Sequence, residues 1–243
     1  MPEGPSLILF TEDLQRFAGQ KILEVSGNSK IDQQRLVGKK IKEIKTWGKH
    51  MLWRFDDFTV KIHFLMFGTY YINSSKDAKP RLYLRFQKDE LNLYSTAIKI
   101  LEEPLDEIYD WTADVLNPSW DAKAARKKLK AIPDAMVTDA LLNQEIFSGV
   151  GNIIKNEILF RIKVHPESLV GALPPRKLTE MIKQASVYSY EFLAWKREYV
   201  LKKNWQVHTK KTCPRDGAKI CKAHLGKTDR RTFWCEACQV KYE

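Results

Sequence analysis

The sequence predicts an α+β chain of more than one domain: a first helix and a β-sandwich, then a helical region, then a short hairpin stapled by metal. Three observations carry this. From about residue 20 to about residue 101, short apolar and aromatic runs alternate with turn-forming residues. Beyond about residue 113 the apolar spacing becomes helical. All four cysteines, Cys213, Cys221, Cys235 and Cys238, fall near the end. With 243 residues and 44% apolar content the chain can bury more than one core, and the pattern divides it at 1–113, 114–204 and 205–243.

The opening MPEGPSLILF is a poor strand and an odd helix. Pro2 is small enough at the second position for Met1 to be trimmed, which would leave a secondary amine beside Glu3, a pair suited to covalent chemistry. A helix is expected in TEDLQRFAGQ, from a Thr11 cap to Gly19. Strands follow in KILEVSG, HMLWRF, FTVKIHFL, GTYYIN, RLYLRFQ and LNLYSTAIKIL, separated by turns such as DD, NSS and KDE. The acid- and proline-containing EEPLDEIYDWTADVLNPSW leads to helices in DAKAARKKLKAI, DALLNQEIF, NIIKNEILFRI and PRKLTEMIKQASVYSYEFLAW. The basic KREYVLKKNWQVHTKK then enters the cysteine-bearing tail.

A net charge of +11 exceeds what folding needs and points to a polyanion, nucleic acid first. No apolar run approaches the ~18 residues of a membrane helix, and the start lacks the basic segment and cleavage site of a secretory signal, so a cytoplasmic protein is expected. Clustered cysteines argue for a metal rather than a disulfide framework. In CEAC, Cys235 and Cys238 have the spacing that turns two thiolates onto one tetrahedral Zn, with Cys213 a third ligand. The fourth is open among Asp216, Cys221, His208 and His224. A shell filled by protein ligands makes the site structural. Arg230 and Arg231 in KTDRRT would present guanidinium forks to phosphates. In LLNQEIFSGVGNIIKNEILF, two amphipathic helices flank GVGN, where the second helix starts with free N–H groups and Asn152 adds a side-chain donor for phosphate.

MPEG at the start, WGKHML at 47–52, LLNQEIFSGVGNIIKNEILF at 141–160 and RRTFWCEACQ near the end occur in one order. Over nearly the whole chain this resembles the formamidopyrimidine-DNA glycosylase and endonuclease VIII family. The resemblance implies a β-sandwich, a helix-two-turn-helix domain and a C-terminal zinc-finger hairpin, with double-stranded DNA crossing between them. It implies that Pro2, freed of Met1, attacks C1′ of a damaged nucleotide, expels the base and leaves a Schiff base. An α-amino group titrates at about 7.7–8.0, so a neutral fraction exists near pH 7. Glu3 would move protons and Lys49 would hold a phosphate and aid the lyase steps. Asn152 and Arg230 would clamp the backbone around a flipped nucleotide, which the chemistry requires.

Three positions depart from or divide that pattern. Ser6 stands where the family often has a second acid, and Asp216 where its finger commonly has cysteine. Met66 in HFLMFG resembles the wedge methionine of the purine-directed branch. LNLYSTAIKIL, however, resembles the endonuclease VIII branch, no Arg-Arg-Phe-Gly stretch occurs, and the segment before Cys213 is short and glycine-free. The expectation is a monomeric, bacterial-type, nucleoid-associated bifunctional DNA glycosylase and abasic-site lyase of base-excision repair, favouring oxidised pyrimidines and needing structural Zn but no redox or nucleotide cofactor. The alternatives are a purine-directed formamidopyrimidine/8-oxoguanine glycosylase, a non-catalytic binder of damaged DNA with the same fold, and a Zn-ribbon protein of RNA.

Overall fold

The computed structural model describes residues 2–243, which form two compact units, one ending at Tyr109 and the other running from Asp110 to Glu243. The first unit opens with helix α1, Gly4–Leu14, continued by a 3-10 turn over Gln15–Phe17. The helix thus begins seven residues before the expected Thr11 cap. Pro5 sits in the first turn, where its missing N–H would have no helical partner anyway. Glu3 takes the extended N-cap conformation, its carbonyl accepting from the Ser6 N–H at 2.8 Å. Leu7 and Leu14, two turns apart, are fully buried, which is worth roughly 2 kcal/mol each and outweighs the awkward start.

Six strands follow: β1 Glu24–Ser26, β2 Glu43–Trp47, β3 His50–Arg54, β4 Thr59–Ile72, β5 Leu82–Arg85 and β6 Glu90–Leu101. They form an antiparallel sheet in the order β1-β5-β6-β4-β3-β2. β4 is one strand where two were expected. The β4–β6 register shifts between Phe64 and Thr69, and side chains from both halves of the sheet enclose one core. Trp53, Val60, Ile62 and Phe64 contribute from one half and Leu82, Leu84, Leu91 and Leu93 from the other, with Leu7 and Leu14 of α1 among them. β2 was not anticipated: its buried residues, Ile44 and Trp47, are spaced by three, which hides the strand's period of two. Helix α2, Leu105–Ile108, closes the unit.

The second unit begins with α3, Ala122–Lys130, capped by Asp121, whose Oδ1 accepts from the N–H groups of Lys123 and Ala124 at 2.7 and 3.2 Å. α4, Val137–Leu142, and α5, Asn152–Arg161, are joined by two successive turns over 143–151, with Gly149 at φ +96°. The 23-residue α6, Pro175–Arg197, packs against α3 and α5, and α7, Leu201–Asn204, follows. β7, Cys221–Leu225, and β8, Arg230–Trp234, make the terminal hairpin. Arg230 and Arg231 open β8 beside the hairpin tip. The tip docks on α4, the Lys227 N–H donating to Asp139 Oδ2 at 3.0 Å. Val207, Cys213, Ile220, Phe233 and Cys235 share a small core with Phe160 of α5. Among the described residues no helix is long and apolar enough to cross a membrane.

Candidate functional site

In the first unit, Pro2 is half-buried at the entry to α1 and Glu3, next to it, is only 4% exposed. Burying a carboxyl group is costly and is kept where its chemistry is used or its partners satisfy it. Ser6 is also buried. Met1 lies outside the described residues, so its removal stays an expectation.

Lys49 sits in the two-residue turn joining β2 to β3, where Gly48 adopts φ +51°. The carbonyl of Lys49 accepts from His63 Nδ1 at 3.1 Å, an imidazole on the neighbouring strand β4. Behind the turn His50 stacks on Trp47, and the Tyr109 hydroxyl lies 3.3 Å from His50 Nδ1. Burial, then the charges of Lys61, His63 and Lys49, push His50 down to about 3. Burial likewise lowers His63 and raises the Tyr109 phenol to about 12. The imidazoles are thus neutral near pH 7, and Lys49 is carried on a rigid aromatic base. His63 was missed in the sequence because a lone histidine in an alternating strand carries no signal of its own.

Met66 lies in the irregular stretch of β4, between Leu65 and Phe67, the three exposed by 42, 54 and 82% in chain order. Phe67 has φ +68°, unusual for an aromatic residue. Three adjacent exposed apolar side chains, on a sheet otherwise well packed, form a surface suited to an apolar contact. The sequence signal for Leu65 and Phe67 was available: FLMFG breaks the strand alternation with four apolar residues and a glycine.

In the second unit, Asn152 and the hairpin arginines are brought together. Asn152, first residue of α5, donates from Nδ2 to the Arg231 carbonyl at 2.8 Å, while its Oδ1 is buried with no partner among the described residues. Arg230 is exposed at the start of β8. Farther along, Cys213, Asp216, Cys235 and Cys238 offer ligand atoms all within 4.8 Å of one another. The cysteines form no disulfide. Cys235 Sγ lies 3.2 Å from Asp216 Oδ2, and the Asp216 carboxyl is held low by the Ala218 N–H, then by Cys213 and Cys235. Three thiols and a carboxylate within this span are a donor set that suits tetrahedral Zn. The other candidates for the fourth ligand lie elsewhere: Cys221 pairs with Trp234 across the hairpin, His208 bonds Asn156, and His224 faces the Asp229 carbonyl.

Residues 1–97 match the formamidopyrimidine-DNA glycosylase N-terminal domain, and residues 112–188 match the formamidopyrimidine-DNA glycosylase H2TH domain. The chain belongs to the formamidopyrimidine-DNA glycosylase family. Among curated relatives of that family, it is 28% identical over 205 residues to Endonuclease 8-like 3 of Mus musculus, covering 81% of this chain and 34% of that one. It is 26% identical over 217 residues to the DNA-(apurinic or apyrimidinic site) lyase Nei2 of Mycolicibacterium smegmatis, covering 84% of each. The chain spans about a third of the length of the Endonuclease 8-like 3 relatives it matches. Its fold is that of Lactococcus lactis formamidopyrimidine-DNA glycosylase, solved non-covalently bound to DNA containing an abasic site, with TM-score 0.87, 23% identity, and coverage of 98% of this chain and 100% of that one. The family fold comprises an N-terminal β-sandwich, a helical H2TH domain and a C-terminal β-hairpin with a cysteine cluster.

Proposed function

We propose that this protein is a bifunctional DNA glycosylase and abasic-site lyase that removes oxidised bases, pyrimidines in preference to purines, and nicks the strand. The observation that carries the reading is the buried carboxyl of Glu3 directly beside Pro2 at the entry to α1. It is supported by the family's domains over the same chain and by relatives named as endonucleases and lyases.

With Met1 removed, the lone pair of the Pro2 nitrogen attacks C1′ of an extruded nucleotide. The C1′–base bond breaks, the base leaves with its electron pair and takes up a proton, and opening of the sugar gives an iminium between Pro2 and C1′. Glu3 passes protons to the sugar oxygen and from C2′, so that elimination expels the 3′ phosphate. Water then hydrolyses the imine and returns the amine. Lys49, fixed by its turn and by His63, holds a phosphate beside the lesion. Met66, with Leu65 and Phe67, fills the space left by the extruded base. Asn152 and Arg230 bind the backbone, and Cys213, Asp216, Cys235 and Cys238 would hold Zn, which would supply a structural cross-link at the base of the hairpin. The pyrimidine preference rests on the LNLYSTAIKIL segment and on the short, glycine-free segment before Cys213.

Strand nicking of duplexes carrying thymine glycol, dihydrouracil or 8-oxoguanine tests the reading. Wild-type protein lacking Met1 should nick the pyrimidine lesions fastest. Glu3→Gln should slow base removal by roughly a hundredfold or more while leaving DNA affinity within a few-fold. Binding without nicking of any lesion or of an abasic site would transfer the assignment to a non-catalytic binder.

A further inference from the structure

Lys155 is the anomaly of α5. It stands in an apolar stretch of NIIKNEILF, is 0% exposed, and carries an ammonium into a packed interface. Its Nζ donates to Thr232 Oγ1 at 2.7 Å. Thr232, itself fully buried, donates from Oγ1 to the Arg230 carbonyl at 3.0 Å. One turn earlier on the helix, Asn152 donates to the Arg231 carbonyl at 2.8 Å, and one residue later Asn156 Oδ1 accepts from the Phe233 N–H at 3.4 Å. The first turn of α5, from Asn152 to Asn156, therefore grips consecutive residues of β8, from Arg230 to Phe233.

A buried ammonium is weak evidence for stability, since a well-packed apolar pair of similar volume commonly serves as well or better. What the polar chain provides is direction. Each bond ends on a defined group of β8, so it fixes the rotation and register of the strand where an apolar contact would leave both adjustable. The two carbonyls it fixes belong to the two hairpin arginines. We propose that Lys155 is a positioning residue which, through Thr232, locks the start of β8 to α5, so that Arg230, Arg231 and Asn152 meet the DNA backbone as one preformed phosphate-binding element. The proposal rests on the DNA-binding reading given above.

The test is the affinity for a duplex carrying an uncleavable tetrahydrofuran abasic analogue, measured on the full-length, zinc-loaded protein. Thr232→Val keeps the shape and deletes the relay; it should weaken binding about tenfold, while Thr232→Ser, which restores the hydroxyl, should bind within about twofold of wild type. Lys155→Met should weaken binding as much or more, and adding Thr232→Val to it should cost no more than about a further twofold, because both act through one relay. Melting temperature and zinc content of the two Thr232 variants should match, which separates positioning from loss of fold. If Lys155→Met fails to fold, the Thr232 pair alone decides. The proposal is overturned if Thr232→Val binds as wild type does while Arg230→Ala binds more weakly, or if serine binds no better than valine. Failure of the wild-type protein to bind the duplex at all would overturn the functional reading instead.

Discussion

At the scale of single residues, the cations and imidazoles near Lys49 divide their work by burial. His50 has a folded-state value of about 3 against an ordinary 6.5. Between these values the unfolded chain binds a proton that the folded chain does not, so stability rises with pH across this window and falls on acidification. The penalty at pH 5 is about 2 kcal/mol for this one group. Thermal unfolding of His50→Gln should therefore show a smaller loss of melting temperature between pH 7.5 and pH 5 than wild type shows; an equal loss would mean that His50 is not the group responsible. Pro2→Gly should weaken base removal, by an amount set by the poorer preorganisation of a primary amine, while DNA affinity stays largely intact. Unchanged turnover in a base-release assay would remove Pro2 from the mechanism. Lys155 makes the complementary point, a buried amine whose proposed worth lies in the geometry it imposes.

At the scale of elements, the irregular stretch of β4 and the cysteine-bearing base of the hairpin each depend on one local feature. Gly68 follows the exposed Leu65–Phe67 stretch, and a Cβ there would lie 2.9 Å from the Leu65 nitrogen, Phe64 Cβ and the Ser95 carbonyl oxygen. Backbone at that distance yields only by distorting the strand pair. Gly68→Ala should cost about 1–3 kcal/mol of stability, read as a lower melting temperature, and weaken binding to abasic DNA by displacing Met66 and Phe67. In the hairpin, Asp216→Ala should lower zinc retention against a chelator, whereas Cys221→Ala should leave it near wild type, because Cys221 is outside the clustered donors. The reverse result would make Cys221 the fourth ligand. Most of these elements were legible: alternation marked β1 and β3 to β6, and helical spacing marked α3 to α6. The start of α1 was not, because a proline-glycine opening reads as irregular when the burial of Leu7 is unseen. β2 was masked by its spacing of three, and the Lys155 relay by the fact that hydrogen-bond partners distant in sequence leave no local pattern.

At the scale of the whole molecule, the +11 charge is an electrostatic footprint, and the family fold gives it a use. Removing one phosphate-binding cation should reduce the slope of log affinity against log salt by roughly 0.9. Arg230→Ala should thus bind DNA more weakly and with a slope smaller by about that amount. An unchanged slope with unchanged affinity would place the hairpin away from DNA. Pro2, Glu3 and Lys49 could be proposed as catalytic from the sequence because MPEG and GK are compact motifs at fixed positions. The lesion preference was divided between Met66 and LNLYSTAIKIL, since it depends on the shape of a pocket that no short motif encodes. The most direct test of the central claim is borohydride trapping on duplexes carrying thymine glycol, dihydrouracil, 8-oxoguanine or an abasic site, with the N-terminal mass verified. The account predicts a reduced protein–DNA crosslink that maps to Pro2 and forms fastest on a pyrimidine lesion. Absence of any crosslink, the abasic site included, from protein that lacks Met1 and still binds the duplex would contradict it.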